Sequence, residues 1–340
     1  MPKAFDLYAN WQTPTNRAEP LSQFEQTLIL SAFSPDAQLN KTTPARSWGF
    51  YPIRVRVRTS EAKHTVYLRK DPKIGGVALE AELLPVLAEL GLPVPQLLAG
   101  PAVDPAGDGI PVTVIGAVPG ESLLDFSWEA KGNDLYIAMQ LILDGVARLH
   151  ALTPALQQAP IAARIPVKTL LGELDDIESR GGPWLEVAEF RQALTWLETA
   201  LPAVEAPLVF SSGDYNPGNF LYSVQYDAIR ADPNHSMGNP GSLAHIPHHL
   251  TGFVDFAWAC FEDPHIGFAK YWTYDWWPAG LVERYLWLNN VTAQEFAPRL
   301  ALRTLWTLQR ELEPPHVDPQ PSWYRDNLLG LLKDARKRVK

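Results

Sequence analysis

The stretch FSSGDYNPGNFLY, residues 210–222, places a carboxylate, a Pro-Gly turn and an asparagine in a short polar interruption between apolar residues. Asp214 and Asn219 are five positions apart, and the turn at Pro217 and Gly218 is expected to bring the amide back toward the carboxylate. A carboxylate can take a proton from a hydroxyl group, and an amide oxygen can bind Mg²⁺. The alternative is a loop whose polar side chains bond only to local backbone.

A second carboxylate follows about 36 residues after Asn219. Asp255 lies between Val254 and Phe256 in a short apolar run, which predicts a strand that presents a single carboxylate. The order Asp, Asn, then Asp-Phe is that of the catalytic loop and metal motif of protein kinases. Phosphoryl transfer depends on positioning and on neutralising phosphate charge, for which Mg²⁺ with oxygen ligands is suited. The sequence therefore predicts Asp214 as the base and Asn219 and Asp255 as magnesium ligands.

The elements around these residues predict two parts of different character. The first part begins with an amphipathic helix over 21–33. A hairpin follows, in which Ile53, Val55 and Val57 alternate with polar residues before a second run at 65–70. A helix over 77–90 and a strand near 110–116 complete this part. Long helical periods dominate from residue 121 onward, with the strongest helices at 134–152 and 184–201. We place the boundary between a nucleotide-binding lobe, residues 1–117, and a catalytic and acceptor-binding lobe, residues 118–340.

These motifs resemble those of the aminoglycoside phosphotransferase-like small-molecule kinases, relatives of choline, homoserine, fructosamine and methylthioribose kinases. The loop of that family usually reads H-G-D-x-x-P-x-N, and this chain has SGDYNPGN; its metal strand reads I-D-F/W followed by G-D-P, and this chain has VDFAWACFEDP. The likeness runs from about residue 45 to about residue 310. It implies an α+β, bilobal, protein-kinase-like fold that transfers the terminal phosphate of ATP or GTP to a hydroxyl of a small-molecule acceptor.

The resemblance also implies nucleotide-binding residues in the first lobe. Arg69 of VYLRK stands where kinases have the strand lysine, with Lys70 one step further on the opposite strand face. Glu80 precedes Pro93 by the interval of the family's helix glutamate, so it is expected to pair with Arg69. Glu82 points about 200° away around the helix and is expected to be solvated. Backbone amides near Ser47 and Gly49 are the candidates for covering the phosphates, although an ordinary hairpin start has the same appearance.

Two departures from the family pattern favour a rival interpretation. Ser212 replaces the histidine usual two residues before the catalytic aspartate, and the segment SWGFYP has one glycine where related kinases often have more. The rival is a degenerate, non-catalytic kinase fold that binds nucleotide or a partner. Residues 223–250 look like an insertion, and we expect His245, His248 and His249 to lie in a flexible polar loop there rather than in a metal site.

The acceptor is not identified by the sequence. The segment KYWTYDWW contains Trp272, Trp276 and Trp277, whose rings suit a sugar or a cation but equally suit a helical core. The segment GELDDIESRGGPWLEVAEF clusters acidic residues, as a polycationic acceptor would require and as a solvated helix face also would. Both alternatives remain open.

Composition restricts the other classes of function. The formal net charge of −9 gives no expectation of binding to a nucleic acid polymer. A single cysteine, Cys260, excludes an internal disulfide framework and a clustered-thiol zinc site. The N-terminus has no signal-peptide pattern and the apolar runs are short or interrupted, so we expect a cytoplasmic protein with no membrane partner.

Overall fold

The first part of the fold is an antiparallel sheet of five strands, which follow the chain order except that the fifth strand lies between the third and the fourth. The computed structural model describes residues 20–44, 52–70, 76–107, 109–224, 248–274, 280–311 and 322–338. The five strands are β1 (Gln38–Pro44), β2 (Ile53–Arg58), β3 (Lys63–Lys70), β4 (Leu97–Val103) and β5 (Pro111–Gly116). Along β2 the apolar residues are buried and the arginines between them are exposed, as the period-two pattern predicts.

Among the described residues, two helices accompany this sheet. Helix α1 (Gln23–Ser31) begins with a capping box in which Ser22 and Glu25 exchange side-chain and backbone hydrogen bonds. Its Ile29 packs into an apolar cluster with the inner residues of β2, β3 and β5. Helix α2 (Val77–Glu89) matches the predicted helix and continues through Pro85. Its Leu83, Leu84 and Leu87 belong to the larger apolar cluster of the C-terminal part, so α2 joins the sheet to the rest of the protein.

The C-terminal part is mostly helical, which confirms the predicted α+β class. Its helices are α3 (Leu123–Glu129), α4 (Asn133–Ala151), α5 (Thr153–Gln158), α6 (Leu170–Arg180), α7 (Ala188–Ala200), α8 (Ile266–Tyr274), α9 (Leu281–Leu288), α10 (Ala293–Glu311) and α11 (Ser322–Arg338). Helix α7 starts later than expected because a 3₁₀ turn over Pro183–Glu186 and an extended Val187 precede it. The boundary between residues 117 and 118 stays a prediction.

Helix α4 is the central helix of the larger core. The segment Asn133–Gln158 is long and apolar enough to cross a membrane by length and composition alone. In the fold, however, Leu141, Ile142, Val146 and Leu149 are buried against other protein side chains. The apolar character of this helix is thus used in packing the core.

Two small sheets carry the loops of interest. The first contains β6 (Glu121–Ser122), β9 (Phe220–Val224) and β10 (His248–Phe253), with β9 in the centre. The second contains β7 (Val167–Lys168), β8 (Val209–Ser211) and β11 (Cys260–Glu262), with β11 in the centre. Residues 210–222 run from the end of β8 to the start of β9, so they pass from the second small sheet to the first.

Two predictions about the region after β9 are wrong. Asp255 is not on a strand, because β10 ends at Phe253 and Asp255 adopts a left-handed φ of 66°. The apolar run around it reflects burial of a turn rather than extended structure. His248 and His249 are not in a loop, because both lie in β10, opposite Val224 and Ser223 of β9. Pairing with β9 overrides the local composition.

A buried ion pair joins the start of α8 to α10. Nε of Arg299 lies 2.7 Å from Oδ1 of Asp263, and the two side chains are 2% and 1% exposed. Arg299 also donates to the second oxygen of Asp263 and to the backbone carbonyls of Glu295 and Val204. Each charge is therefore compensated inside the core, where an unpaired charge would be strongly unfavourable.

We expect Arg299→Met to lower the free energy of unfolding by about 3–5 kcal/mol, because it leaves a buried carboxylate without its partner. Arg164→Met is the matched control, since Arg164 pairs with Glu82 while 58% exposed. For the control we expect a loss of about 0–1 kcal/mol. Urea unfolding monitored by circular dichroism measures both, and equal small losses would contradict the assignment of Arg299.

Candidate active site

The loop after β8 holds the carboxylate of Asp214 in place through several contacts. Oδ1 of Asp214 accepts hydrogen bonds from the backbone N–H of Asn216 at 3.1 Å and from Nζ of Lys270 at 2.6 Å. The amide nitrogen of Asn219 donates to the backbone carbonyl of Asp214 at 3.0 Å. The 3₁₀ turn Pro217–Asn219 thus brings the amide back to the aspartate, as the sequence predicts.

The same loop is braced without the histidine that its relatives usually have. The Ser212 hydroxyl donates to the Asp214 carbonyl at 3.1 Å, and the N–H of Gly213 donates to the Ser211 hydroxyl at 2.9 Å. The hydroxyl of Tyr271 donates to the carbonyl of Tyr215. These hydrogen bonds hold both sides of the aspartate.

The ring of Tyr215 connects this loop to the central helix. It is buried, and its hydroxyl lies 2.8 Å from Nε2 of His150 on α4. Burial lowers the pKa of His150 to about 4, so the imidazole is neutral at pH 7. A neutral imidazole bonded to a buried tyrosine is a structural contact that fixes the loop on α4.

A second cluster joins the N-terminal sheet to the turn after β10. Nε of Arg69, on β3, lies 2.8 Å from Oε2 of Glu80, on α2, and its NH2 lies 2.6 Å from Oδ1 of Asp255. The other oxygen of Glu80 accepts the backbone N–H of Phe256 at 2.9 Å. The expected pairing of Arg69 with Glu80 is therefore present, and it extends to the expected metal ligand Asp255.

Glu80 is the most deeply buried member of this cluster. Its side chain is 2% exposed, against 12% for Arg69 and 35% for Asp255. Burial raises the pKa of Glu80 to about 7, whereas the charge of Arg69 acts to lower it. The guanidinium of Arg69 therefore stabilises the ionised form of Glu80 at this buried position.

The Asp214 loop and the Asp255 turn are neighbours. The N–H of Val254 donates to the backbone carbonyl of Asn219 at 3.0 Å, because the β9–β10 ladder aligns Phe220 with Phe253. Asn219 and Asp255 consequently lie on adjacent segments at the same end of two paired strands.

The residues present fit a magnesium site. The nitrogen of the Asn219 amide is occupied by the Asp214 carbonyl, which leaves the amide oxygen as a ligand. Within the part of the chain that the structure describes, no hydrogen bond reaches the second carboxylate oxygen of Asp255, and no group of three or more His, Cys, Asp or Glu side chains forms a metal cage. A metal bound here would take its remaining ligands from phosphate and water, as Mg²⁺ commonly does.

A pocket of about 230 Å³ opens beside Asp214. Its wall includes the side of Tyr215, the indole of Trp258 and ionisable residues of both signs. The pocket-lining residues are Lys168, Glu173, Gly213, Asp214, Tyr215, Trp258, Glu262, Ile266, Gly267, Lys270, Arg303 and Trp306. A molecule in this pocket has direct access to the carboxylate of Asp214.

The remaining predicted site residues are placed as follows. Lys70 ends β3 and pairs with Val112 of β5. Ser47 and Gly49, the candidates for covering the phosphates, lie outside the described residues. Lys270 was not predicted, and its only sequence signal is a lysine among the apolar residues of α8.

The two candidate acceptor segments contribute unequally to the pocket. Trp272 packs against the core, with its ring 6.3 Å from that of Phe296, whereas Trp276 and Trp277 lie outside the residues that the structure describes. From the acidic segment, Glu173 lines the pocket while Asp175 and Asp176 are exposed. Most of that segment is thus a solvated helix face, with one residue directed to the site.

We expect Gly213→Ala to displace the catalytic loop. Gly213 has a φ of 76°, and an added Cβ would lie 2.1 Å from the carbonyl oxygen of Trp258. A loss of at least about 2 kcal/mol in the free energy of unfolding is expected from the strain and the clash.

Gly330→Ala is the control for this substitution, since Gly330 lies in α11 with no atom within 4 Å of an added Cβ. Alanine there is expected to stabilise by about 0.5–1 kcal/mol. Chemical denaturation of both variants measures the difference, and a neutral Gly213→Ala would show that the loop geometry is not as described.

Comparisons with known proteins agree with this geometry. A family model described as a phosphotransferase enzyme family matches residues 43–231, more than half of the chain. Comparison with curated proteins returned no match. Sixty-one solved chains match in structure.

Three of these structures illustrate the likeness. A thermostable mutant of aminoglycoside phosphotransferase APH(4)-Ia, in ternary complex with AMP-PNP and hygromycin B, has a TM-score of 0.59 at 12% identity, covering 93% of this chain and 99% of that chain. Another structure of APH(4)-Ia has a TM-score of 0.58 at 11% identity, covering 93% and 98%. A candidate aminoglycoside phosphotransferase from Ralstonia eutropha JMP134 has a TM-score of 0.53 at 12% identity, covering 99% and 97%.

At these identities the structural likeness shows the fold, which confirms the predicted kinase-like architecture. The family match includes the strand of Arg69, the helix of Glu80 and the loop from Asp214 to Asn219. The chain therefore belongs to the phosphotransferase enzyme family.

Proposed function

We propose that this protein is a small-molecule kinase in which Asp214 accepts the proton of the acceptor hydroxyl, and Asn219 and Asp255 bind Mg²⁺. The nucleotide is ATP or GTP. The observation that supports this most is the convergence of Arg69, Glu80 and Asp255, three residues from distant parts of the chain, next to the loop of Asp214. A cytoplasmic location stays a prediction.

The transfer step follows from the contacts of Asp214. The oxygen of the acceptor hydroxyl forms a bond to the terminal phosphorus, the bond from that phosphorus to the bridging oxygen breaks, and the proton passes to the carboxylate of Asp214. The products are a phosphate ester and the nucleoside diphosphate. Lys270, 2.6 Å from Oδ1 of Asp214, holds the carboxylate toward the pocket.

The phosphates are expected to lie between Arg69 and the Asp214 loop. Mg²⁺, when bound, supplies charge neutralisation for the phosphate oxygens. The amide oxygen of Asn219 and the carboxylate of Asp255 would hold that cation, and the guanidinium of Arg69 would contact a phosphate oxygen while it stays paired with Glu80 and Asp255. Glu80 positions Arg69 through their ion pair at 2.8 Å.

The rival is a non-catalytic kinase fold that binds nucleotide or a partner. Ser212 favoured it, since the usual histidine is missing. The hydrogen bonds of Ser212 and Ser211 and the buried ring of Tyr215 nevertheless hold the loop. Turnover distinguishes the two functions, because both are compatible with nucleotide binding.

We expect Asp214→Asn to reduce phosphate transfer by about 10²–10⁴-fold, since the amide cannot take the hydroxyl proton. The measurement is nucleoside diphosphate release across a panel of amino-sugars, amino alcohols and hydroxy acids. Asp144→Asn, at an exposed position on α4, is the control and is expected to retain full activity. Turnover by Asp214→Asn at the native rate would remove the proposed mechanism, and absence of turnover by the native protein would favour the rival.

We expect AMP-PNP to bind at least about 10-fold more tightly with Mg²⁺ than with EDTA, which corresponds to about 1.4 kcal/mol. Asn219→Ala and Asp255→Ala are expected to remove most of this difference, because each deletes an oxygen ligand. Asp214→Asn is expected to keep it. Isothermal titration calorimetry gives the affinities, and equal affinity of the native protein with and without Mg²⁺ would contradict the metal assignment.

We expect Glu80→Gln to weaken AMP-PNP binding by about 10-fold, because Arg69 loses its buried counter-charge and is no longer held toward the phosphates. Glu82→Gln is the matched control on the same helix, since Glu82 pairs with the exposed Arg164 and with no other cation of the described residues. Its affinity is expected to stay within about 2-fold of native. Comparable effects of the two substitutions in calorimetric titrations would argue against a positioning role for Glu80.

A further inference from the structure

Among the residues that the structure describes, the lining of the pocket beside Asp214 has basic and acidic side chains in equal number. Lys168, Lys270 and Arg303 stand against Asp214, Glu173 and Glu262. A site for a polycationic acceptor needs an excess of carboxylates, because each ammonium group that is buried requires a counter-charge. The described part of the pocket lining has no such excess.

Two of its cations have no carboxylate of their own. Among the residues that the structure describes, neither Lys168 nor Arg303 forms an ion pair within 4 Å. The guanidinium of Arg303 lies over the ring of Trp306 at 3.8 Å, and the ammonium of Lys168 lies 5.7 Å from the ring of Trp258. Each indole thus holds a cation at the pocket wall by a cation–π contact.

The guanidinium of Arg303 has one buried nitrogen and two terminal nitrogens. Its Nε is fully buried and, in the described part of the chain, has no hydrogen-bond acceptor. Because this nitrogen has almost no accessible surface, a ligand in the pocket would contact the terminal guanidinium nitrogens instead. The remaining guanidinium nitrogens form a planar fork that suits carboxylate and phosphate oxygens.

The acidic side chains offset these cations incompletely. Asp214 is already paired with Lys270 at 2.6 Å. Burial and the nearby Glu262 together raise the pKa of Glu173 to about 7, although the charges of Lys168 and Arg303 act to lower it, so part of this negative charge is absent at neutral pH. Glu262 stands opposite Lys168 in the pairing of β11 with β7, but no carboxylate of the described residues lies within ion-pair distance of Lys168 or Arg303, so both cations can accept an anionic ligand.

We propose that the acceptor carries an anionic group, a carboxylate or a phosphate, which Lys168 and Arg303 bind while the acceptor hydroxyl faces Asp214. The inference rests on the proposed kinase function and specifies its substrate class. The volume of about 230 Å³ agrees with it, since sites for drug-sized ligands span about 300–1,000 Å³. A small hydroxy acid or a sugar phosphate fits this pocket better than an aminoglycoside.

The test compares four probes by ligand-observed NMR titration, with and without saturating AMP-PNP and Mg²⁺. Glycerol, glycerate and glycerol 3-phosphate share a hydroxylated carbon chain and differ in their anionic group, and hygromycin B is the polycationic probe. We expect the native protein to bind at least one anionic probe about 10-fold or more tightly than glycerol, and the preferred probe distinguishes carboxylate from phosphate.

Substitutions of Lys168 and Arg303 test whether these two residues bind the anionic group of the probe. Lys168→Gln with Arg303→Gln is expected to reduce the preference for the anionic probe to within about 3-fold of glycerol. Lys168→Gln alone is a second variant with a smaller expected loss, and thermal unfolding checks that each variant is folded. Arg310→Gln is the control, since Arg310 faces the same Trp306 ring at 5.7 Å but does not line the pocket.

The inference would be overturned if the anionic probes bind no more tightly than glycerol. It would also be overturned if hygromycin B binds most tightly and its affinity is unchanged by the loss of Lys168 and Arg303. An anion preference that survives in the double variant would overturn it as well. Failure of the proposed function is a separate outcome, because it is shown by a native protein that releases no nucleoside diphosphate with any acceptor, whereas the probes are also titrated for binding without nucleotide.

Discussion

The guanidinium of Arg69 is the interaction on which the candidate site depends. It holds Glu80 and Asp255 through contacts of 2.8 and 2.6 Å, and thereby connects a strand of the N-terminal sheet, helix α2 and the turn after β10. Glu80 is too deeply buried to remain ionised without a counter-charge. The backbone N–H of Phe256 satisfies its other oxygen, so the same carboxylate also fixes the turn that presents Asp255. One cluster of charges thus sets both the phosphate-binding cation and one metal ligand.

The loop of Asp214 illustrates how a fold keeps its geometry when a usual residue is replaced. The family pattern usually has a histidine in this loop, and Ser212 takes its position here. The hydroxyls of Ser211, Ser212 and Tyr271 satisfy the backbone of the loop, and Tyr215 anchors it on α4 through His150. Because backbone groups inside a protein need partners of some kind, several weaker contacts can take the place of one side chain. The substitution therefore does not by itself indicate a non-catalytic protein.

Much of the fold and of the site could be predicted from the sequence, and the errors have physical causes. Periodicity located β2 and α2, and the spacing of Asp214 and Asn219 predicted a turn that the structure contains. The sequence predicts a strand at Asp255, and this prediction is wrong because the partly buried residues of a turn form the same apolar run as a strand. The pocket cations could not be found at all: Lys168, Lys270 and Arg303 come from β7, α8 and α10, and only the tertiary fold brings them together.

The central claim is that Asn219 and Asp255 bind one cation between the nucleotide phosphates and Asp214. A crystal structure of the complex with Mg²⁺ and AMP-PNP tests it most directly. We expect a metal about 2.0–2.1 Å from the amide oxygen of Asn219 and from a carboxylate oxygen of Asp255, with the terminal phosphate facing Asp214 and a guanidinium nitrogen of Arg69 on a phosphate oxygen. A nucleotide bound elsewhere, or a metal that contacts neither side chain, would contradict the account.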